Sequence, residues 1–135
     1  EPKCDSVVDG VCKITTTKTS AEDSFQLTFD GDVVIDKGVR LDFKNRLVIQ
    51  AGGKVTMEAE SIARARVVQV VGTSIELKDK VFLQADAVNL LPNQGNCSMI
   101  KISGIDVRVV AKFFVEMKCP DGHMQFDGPG TVIES

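Results

Sequence analysis

From Val33 to Leu90 the chain repeats a short pattern: two or three alternating apolar residues, a small or charged corner, and the same again about seven residues later. The apolar phrases are Val33-Val34-Ile35, Val39 to Phe43, Leu47-Val48-Ile49, Val55-Thr56-Met57, Val67 to Val71, Ile75-Glu76-Leu77, Val81-Phe82-Leu83 and Val88-Asn89-Leu90. Their first residues lie 6, 8, 8, 12, 8, 6 and 7 apart, and the gap of 12 holds Ile62, which stands for a weaker strand. Upstream, Phe25, Leu27 and Phe29 alternate strictly with polar residues, as in a half-buried strand, and a further strand is expected around Val11 to Thr17. No window up to Leu91 carries the spacing and caps of an ordinary helix, which leaves at most a single turn at Ser61 to Arg66. The corners Asp30-Gly31-Asp32, Lys37-Gly38, Lys44-Asn45, Gly52-Gly53, Gly72-Thr73 and Lys78-Asp79 are residue types that supply turns or positive φ.

Short strands at this interval suit either a β-sandwich, with turns every ~8–12 residues, or a β-solenoid with closer turns. Val33 to Val55 is 22 positions and Val55 to Ile75 is 20, so three strands per turn set these residues one above another. The expected fold is therefore all-β, a right-handed parallel β-helix (β-solenoid) with disulfide-stapled ends, with the β-sandwich as the alternative. Val, Ile, Leu and Met then fill internal ladders, while Arg40, Asp42, Glu58, Arg64, Arg66 and Glu76 stay outside. Ala51, Ala59, Ala85 and Ala87 have the volume for inner corners. Beyond Leu91, Pro92 to Gly95 interrupts the register and bulkier phrases at Ile100-Ile102, Ile105 to Val109 and Phe113 to Met117 resume it. One domain over residues 1–135 is expected: an N-terminal cap at 1–24, regular coils at 25–91, and a last coil with a C-terminal cap at 92–135.

Cys4, a short polar loop, Cys12-Lys13-Ile14, then Asp32-Val33-Val34-Ile35, Gly38-Val39-Arg40-Leu41 and the ladder that follows resemble β-helical ectodomain segments of large glycine-rich cell-surface proteins of plants and protists. The resemblance spans roughly residues 4–90. It implies an extracellular structural or surface role and carries no catalytic residues over.

A net charge of −3, spread along the whole chain, gives no basic footprint for a phosphate backbone, so nucleic acid is not an expected partner. No apolar run approaches the ~20 residues that cross a bilayer, so membrane insertion is not expected either. The chain opens at Glu1-Pro2 without methionine, as a secreted protein does once its leader is removed, and a secreted, cell-surface location is the expectation. Four cysteines fit an oxidising compartment. Three pairings are open, of which Cys4 with Cys12 and Cys97 with Cys119 would staple each end of the repeats. Neither pair has C-x-x-C spacing and His123 is the single histidine, so neither a metal nor any other cofactor is expected.

Candidate chemistry is sparse. His123, in the turn-like Cys119-Pro120-Asp121-Gly122-His123, has no evident partner to make it a base or a ligand. Glu58 and Glu60, with Asp42 or Arg40 from a neighbouring coil, form the kind of cluster that polysaccharide lyases use, and paired carboxylates also hydrolyse glycosides. Alternating charges on a solvated sheet face explain the same residues more simply. Thr15, Thr17 and Thr19 make one threonine rank, where an ice-binding solenoid needs many; they are also candidate O-glycosylation sites, and Asn96-Cys97-Ser98 is an N-glycosylation sequon. Trp and Tyr, the usual sugar platforms, are both missing from the chain.

A short solenoid has two open ends that must be capped or joined to another copy. Phe113 and Phe114 are consecutive, so one of them should leave the core. The expected role is a non-enzymatic, self-associating structural subunit, with contacts through Phe25, Phe29, Phe113, Phe114 and Phe126. A glycan-binding or adhesion module comes second, and a polysaccharide lyase or hydrolase third.

Overall fold

The computed structural model describes residues 4–19, 24–93, 99–119, 123–126 and 132–134. Among them the chain is all strand and turn, wound into a parallel β-solenoid of about five turns. A hairpin opens it, β1 (Ser6–Val8) with β2 (Val11–Ile14), and β3 (Lys18–Thr19) and β4 (Ser24–Phe29) complete the first coil. The second coil is β5 (Asp32–Ile35), β6 (Arg40–Asp42) and β7 (Arg46–Ala51), and the third is β8 (Lys54–Met57), β9 (Ile62–Arg64) and β10 (Val67–Gly72). In the fourth, β11 (Ser74–Leu77) is followed by one long bent strand, β12 (Phe82–Pro92). Then come β13 (Met99–Ile102) with the long β14 (Arg108–Met117), and finally β15 (His123–Phe126) and β16 (Val132–Glu134).

Three faces result. The first stacks β2, β5, β8, β11, β13 and β15; the second stacks β3, β6, β9, the start of β12, the start of β14 and β16. The third stacks β4, β7, β10 and the later halves of β12 and β14. Val33, Val55 and Ile75 are register partners in consecutive parallel strands, which removes the sandwich alternative. Their ladder runs on from Cys12 at one end through Ile100 to Met124. Ile62 does start a strand, β9, so the single helical turn expected at Ser61 to Arg66 is wrong. The β-branched and short residues there pair with β6 and β12 on either side, and this parallel pairing outweighs a local turn. The strands past Leu91 keep parallel register as further coils.

Inward residues of the middle coils are fully buried: Ile35, Leu41, Ile49, Met57, Ile75, Leu77, Leu83 and Leu90. At the corner between the first and second faces, Gly38, Glu60, Lys80 and Asp106 all adopt positive φ, between 56° and 74°. Three of them donate their N–H to the next coil: Gly38 N to Ala59 O at 3.0 Å, Glu60 N to Asp79 O at 2.7 Å, Lys80 N to Ile105 O at 2.8 Å. The left-handed conformation, unfavourable for a non-glycine residue, is held at Glu60 and Lys80 by these coil-to-coil bonds.

The N-terminal hairpin was not expected. Asp9 and Gly10, at φ 53° and 76°, form the two-residue loop between Val8 and Val11, the Asp-Gly signature of a tight hairpin turn. β1 runs antiparallel along β2 and covers the N-terminal edge of the first face. Cys4 and Cys12 are joined across it, as expected. Cys119 is disulfide-bonded too, whereas Cys97 lies outside the described residues.

Candidate functional site

The strand expected from Val11 to Thr17 stops at Ile14 because Asp5 captures the next backbone donors. Its Oδ2 accepts from the N–H of Thr15 at 2.7 Å and of Thr16 at 3.0 Å, and its Oδ1 accepts from Lys18 Nζ at 2.8 Å. Burial alone would raise the Asp5 pKa, but the Lys18 bond and those from Thr15 and Thr16 outweigh it and bring it down to about 2 from 3.8. A depressed carboxylate stabilises the folded state above its unfolded pKa, and the contribution disappears as pH falls through the folded value. Between pH 4 and 2 the cap should therefore weaken by about 1 kcal/mol after allowance for solvent screening. Amide exchange of β2 and β3 against pH checks this: Asp5→Asn should abolish the acid-dependent step. The threonine rank sits at this corner and in β3, with Thr15, Thr17 and Thr19 exposed and Thr17 Oγ1 accepting from Arg40 N at 3.2 Å.

Glu58 and Glu60 do not converge with Asp42. They lie in the turn between β8 and β9, and each meets a lysine of an adjacent coil: Glu58 with Lys78 at 3.1 Å, Glu60 with Lys37 at 3.9 Å. The hydrogen bond to Glu58 raises the Lys78 pKa. On the first face Glu76 binds Lys54 at 3.0 Å and accepts from Ser103 Oγ at 2.9 Å; burial opposes its charge, yet these bonds lower its pKa. Asp42 lies on the second face, 3.5 Å from Arg40. These carboxylates tie coils or neighbouring side chains together.

The expected apolar contacts divide. Phe25 is 5% exposed and stacks on Phe43 with centroids 5.2 Å apart, so it belongs to the core and offers no docking surface. It fails as a contact residue because the alternation of β4 turns Phe25 and Leu27 inward. Phe29 is half-buried against the same core. Phe113 and Phe114 are both exposed, at 67% and 49%, instead of one in and one out. The cause is a bulge: Ala85 pairs with Ala111 and Ala87 with Phe114, so Asp86 opposes two residues, Lys112 and Phe113. Phe126 ends β15 opposite Ile102, and its side chain lies outside the described residues, as does Asn96. His123 begins β15 beside Met99 and is not in a turn.

The two ends of the stack differ. At the N-terminal end the inward residues Cys12, Ile14, Phe25 and Leu27 are all buried. Towards the C-terminal end, Val115 and Met117 are half-exposed, and Ile133 is 39% exposed although it continues the inward ladder of Leu83 and Val109.

The corner between the second and third faces collects cations that are far apart in sequence. A groove of about 490 Å³ is lined by Lys44, Arg64, Arg66 and Lys112, with Ala65, Ala85 and Ala111 on its floor. Arg46 and Phe113 line its continuation onto the third face. The guanidinium groups of Arg64 and Arg108 both lie over the Phe82 ring, 5.4 and 5.5 Å from its centroid. No group of three or more metal-ligating side chains occurs among the described residues, and no helix there is long and apolar enough to cross a membrane. No protein-family model, curated protein or solved structure matches the chain.

Proposed function

We propose that the chain is a non-enzymatic structural module of an extracellular or cell-surface assembly that extends by stacking a second copy on its C-terminal end. The carrying observation is the asymmetry of the stack. The first face of the N-terminal end is covered by a disulfide-linked antiparallel strand, while the C-terminal end presents Val115, Met117 and Ile133 from inward ladders. Repeat proteins that remain single copies close such ends with polar caps. What fits over an unfinished parallel coil is another coil of the same pattern, and β3 and β4 provide parallel N-terminal edges on the second and third faces.

A disulfide is compatible with an oxidising, extracellular setting, and the resemblance of residues 4–90 to β-helical ectodomain segments points the same way. Carboxylates engaged in ion pairs between coils, as at Glu58 and Glu76, suit a scaffold better than a catalytic cluster.

Sedimentation velocity over a wide concentration range tests the reading. The wild type should form species larger than the monomer as concentration rises, and Ile133→Lys should remain monomeric with an unchanged circular dichroism spectrum. A wild type that stays monomeric at every concentration and salt level overturns it.

A further inference from the structure

The same molecule carries a concentration of positive charge that its stacking role does not use. Five cations, Lys44, Arg46, Arg64, Arg66 and Lys112, line the corner groove and its continuation against one carboxylate, Asp86, in a chain of net charge −3. Arg66 reaches Asp86 at only 3.8 Å, with its side chain 71% exposed. Lys44, Arg46, Arg64 and Lys112 form no ion pair among the described residues, in contrast to Lys37, Lys54 and Lys78 around the first face, which each meet a glutamate. Such a local excess attracts an anion from solution, because among the described residues Asp86 alone offsets it.

The shape narrows the anion to a long one. Lys44 belongs to the second coil, Arg64 and Arg66 to the third, and Lys112 to the fifth, and successive coils are spaced by about 4.8 Å. The charges thus form a row across coils, broken at the fourth coil by Asp86, beside the small side chains Ala65, Ala85 and Ala111, which leave room for a flat ring. Arg64 lies over Phe82, and its guanidinium makes no ion pair among the described residues. A planar guanidinium matches carboxylate or sulfate oxygens in pairs. Beside the row, the exposed Phe113 offers an apolar plate of the kind on which the C–H face of a sugar rests.

We propose that this groove binds a linear acidic polysaccharide, carboxylated or sulfated, laid along the solenoid axis. Nucleic acid fits less well: the Cys4–Cys12 disulfide is compatible with an oxidising, extracellular setting, where acidic glycans are the common polyanions.

Titration of the full chain with polygalacturonate, with heparin, with neutral dextran and with single-stranded DNA tests the proposal at physiological ionic strength. Polygalacturonate or heparin should bind, whichever is tighter identifying the anionic group, and added salt should weaken the binding. Arg66→Gln with Lys112→Gln should reduce affinity at least about tenfold, the scale of losing charge-assisted hydrogen bonds. Lys37→Gln, on a different corner, should leave it unchanged. Equal binding by the double variant, equal binding of dextran, tighter binding of DNA, or failure of both acidic glycans to bind would each overturn the proposal. Because the readout is binding by the monomer at low concentration, it is independent of the stacking proposal.

Discussion

Gly104→Ala is expected to lower the stability of the fold by about 3 kcal/mol, at the upper end of overpacking costs, seen as a fall in the urea midpoint. Gly104 is buried in the turn between β13 and β14, where the backbone of the next coil back lies directly against it. A Cβ there would run into the amide nitrogen and Cα of Asp79 and the carbonyl carbon of Lys78. Those atoms have little freedom to yield. Ser103 N donates to Leu77 O at 3.0 Å on one side, and Ile105 N donates to Asp79 Oδ1 at 2.9 Å on the other, so the two coils are pinned on both flanks. Relief requires opening the corner and breaking one of these bonds. A midpoint equal to that of the wild type would show that the coils approach less closely than described.

Ile75→Ala should destabilise by about 4 kcal/mol, within the range for truncating a fully buried isoleucine. Ile75 has no exposed surface and stands in the middle of the first-face ladder, between Val55 and Ile100. No flexible neighbour is placed to refill the space, because ladder residues above and below are fixed by the spacing of the coils. Each coil touches mainly the ones before and after it. The loss should therefore appear in hydrogen exchange as faster exchange in β8, β11 and β13, with β2 and β5 retaining more protection. Ile105→Ala, at a residue 43% exposed, should change stability by no more than about 0.5 kcal/mol. A uniform loss of protection through all coils would contradict this local picture.

The coil register was legible in the sequence because each turn has almost the same length. Val33, Val55 and Ile75 can be aligned by counting, and the corners at Gly31, Gly38 and Gly52 punctuate the strands they separate. The first hairpin was written there too, in Asp9-Gly10, but the surrounding polar residues hid the short strand before it. Phe113 and Phe114 mislead a reader who assumes strict alternation, since a bulge is set by the pairing of Ala85 and Ala87 with β14. Phe25 likewise reads as amphipathic until Phe43 is brought against it from the next coil. The basic corner was harder. Lys44, Arg66 and Lys112 look like scattered charges in a chain of net −3, and only the winding puts them in one row. Their signal was available once the coils were aligned, which brings Lys44, Arg66 and Lys112 to one corner with Asp86 between the last two.

The hydrogen bonds between successive coils point along the solenoid axis, since the strands run across it. A tensile load applied from end to end therefore acts on those bonds one rung at a time, and the solenoid yields by peeling. The Cys4–Cys12 bond changes what happens at one extremity: force entering through Cys4 passes straight to β2 and leaves the antiparallel strand slack. Mechanically, the N-terminal hairpin is a covalently clamped grip, and the coils beyond it part by unzipping.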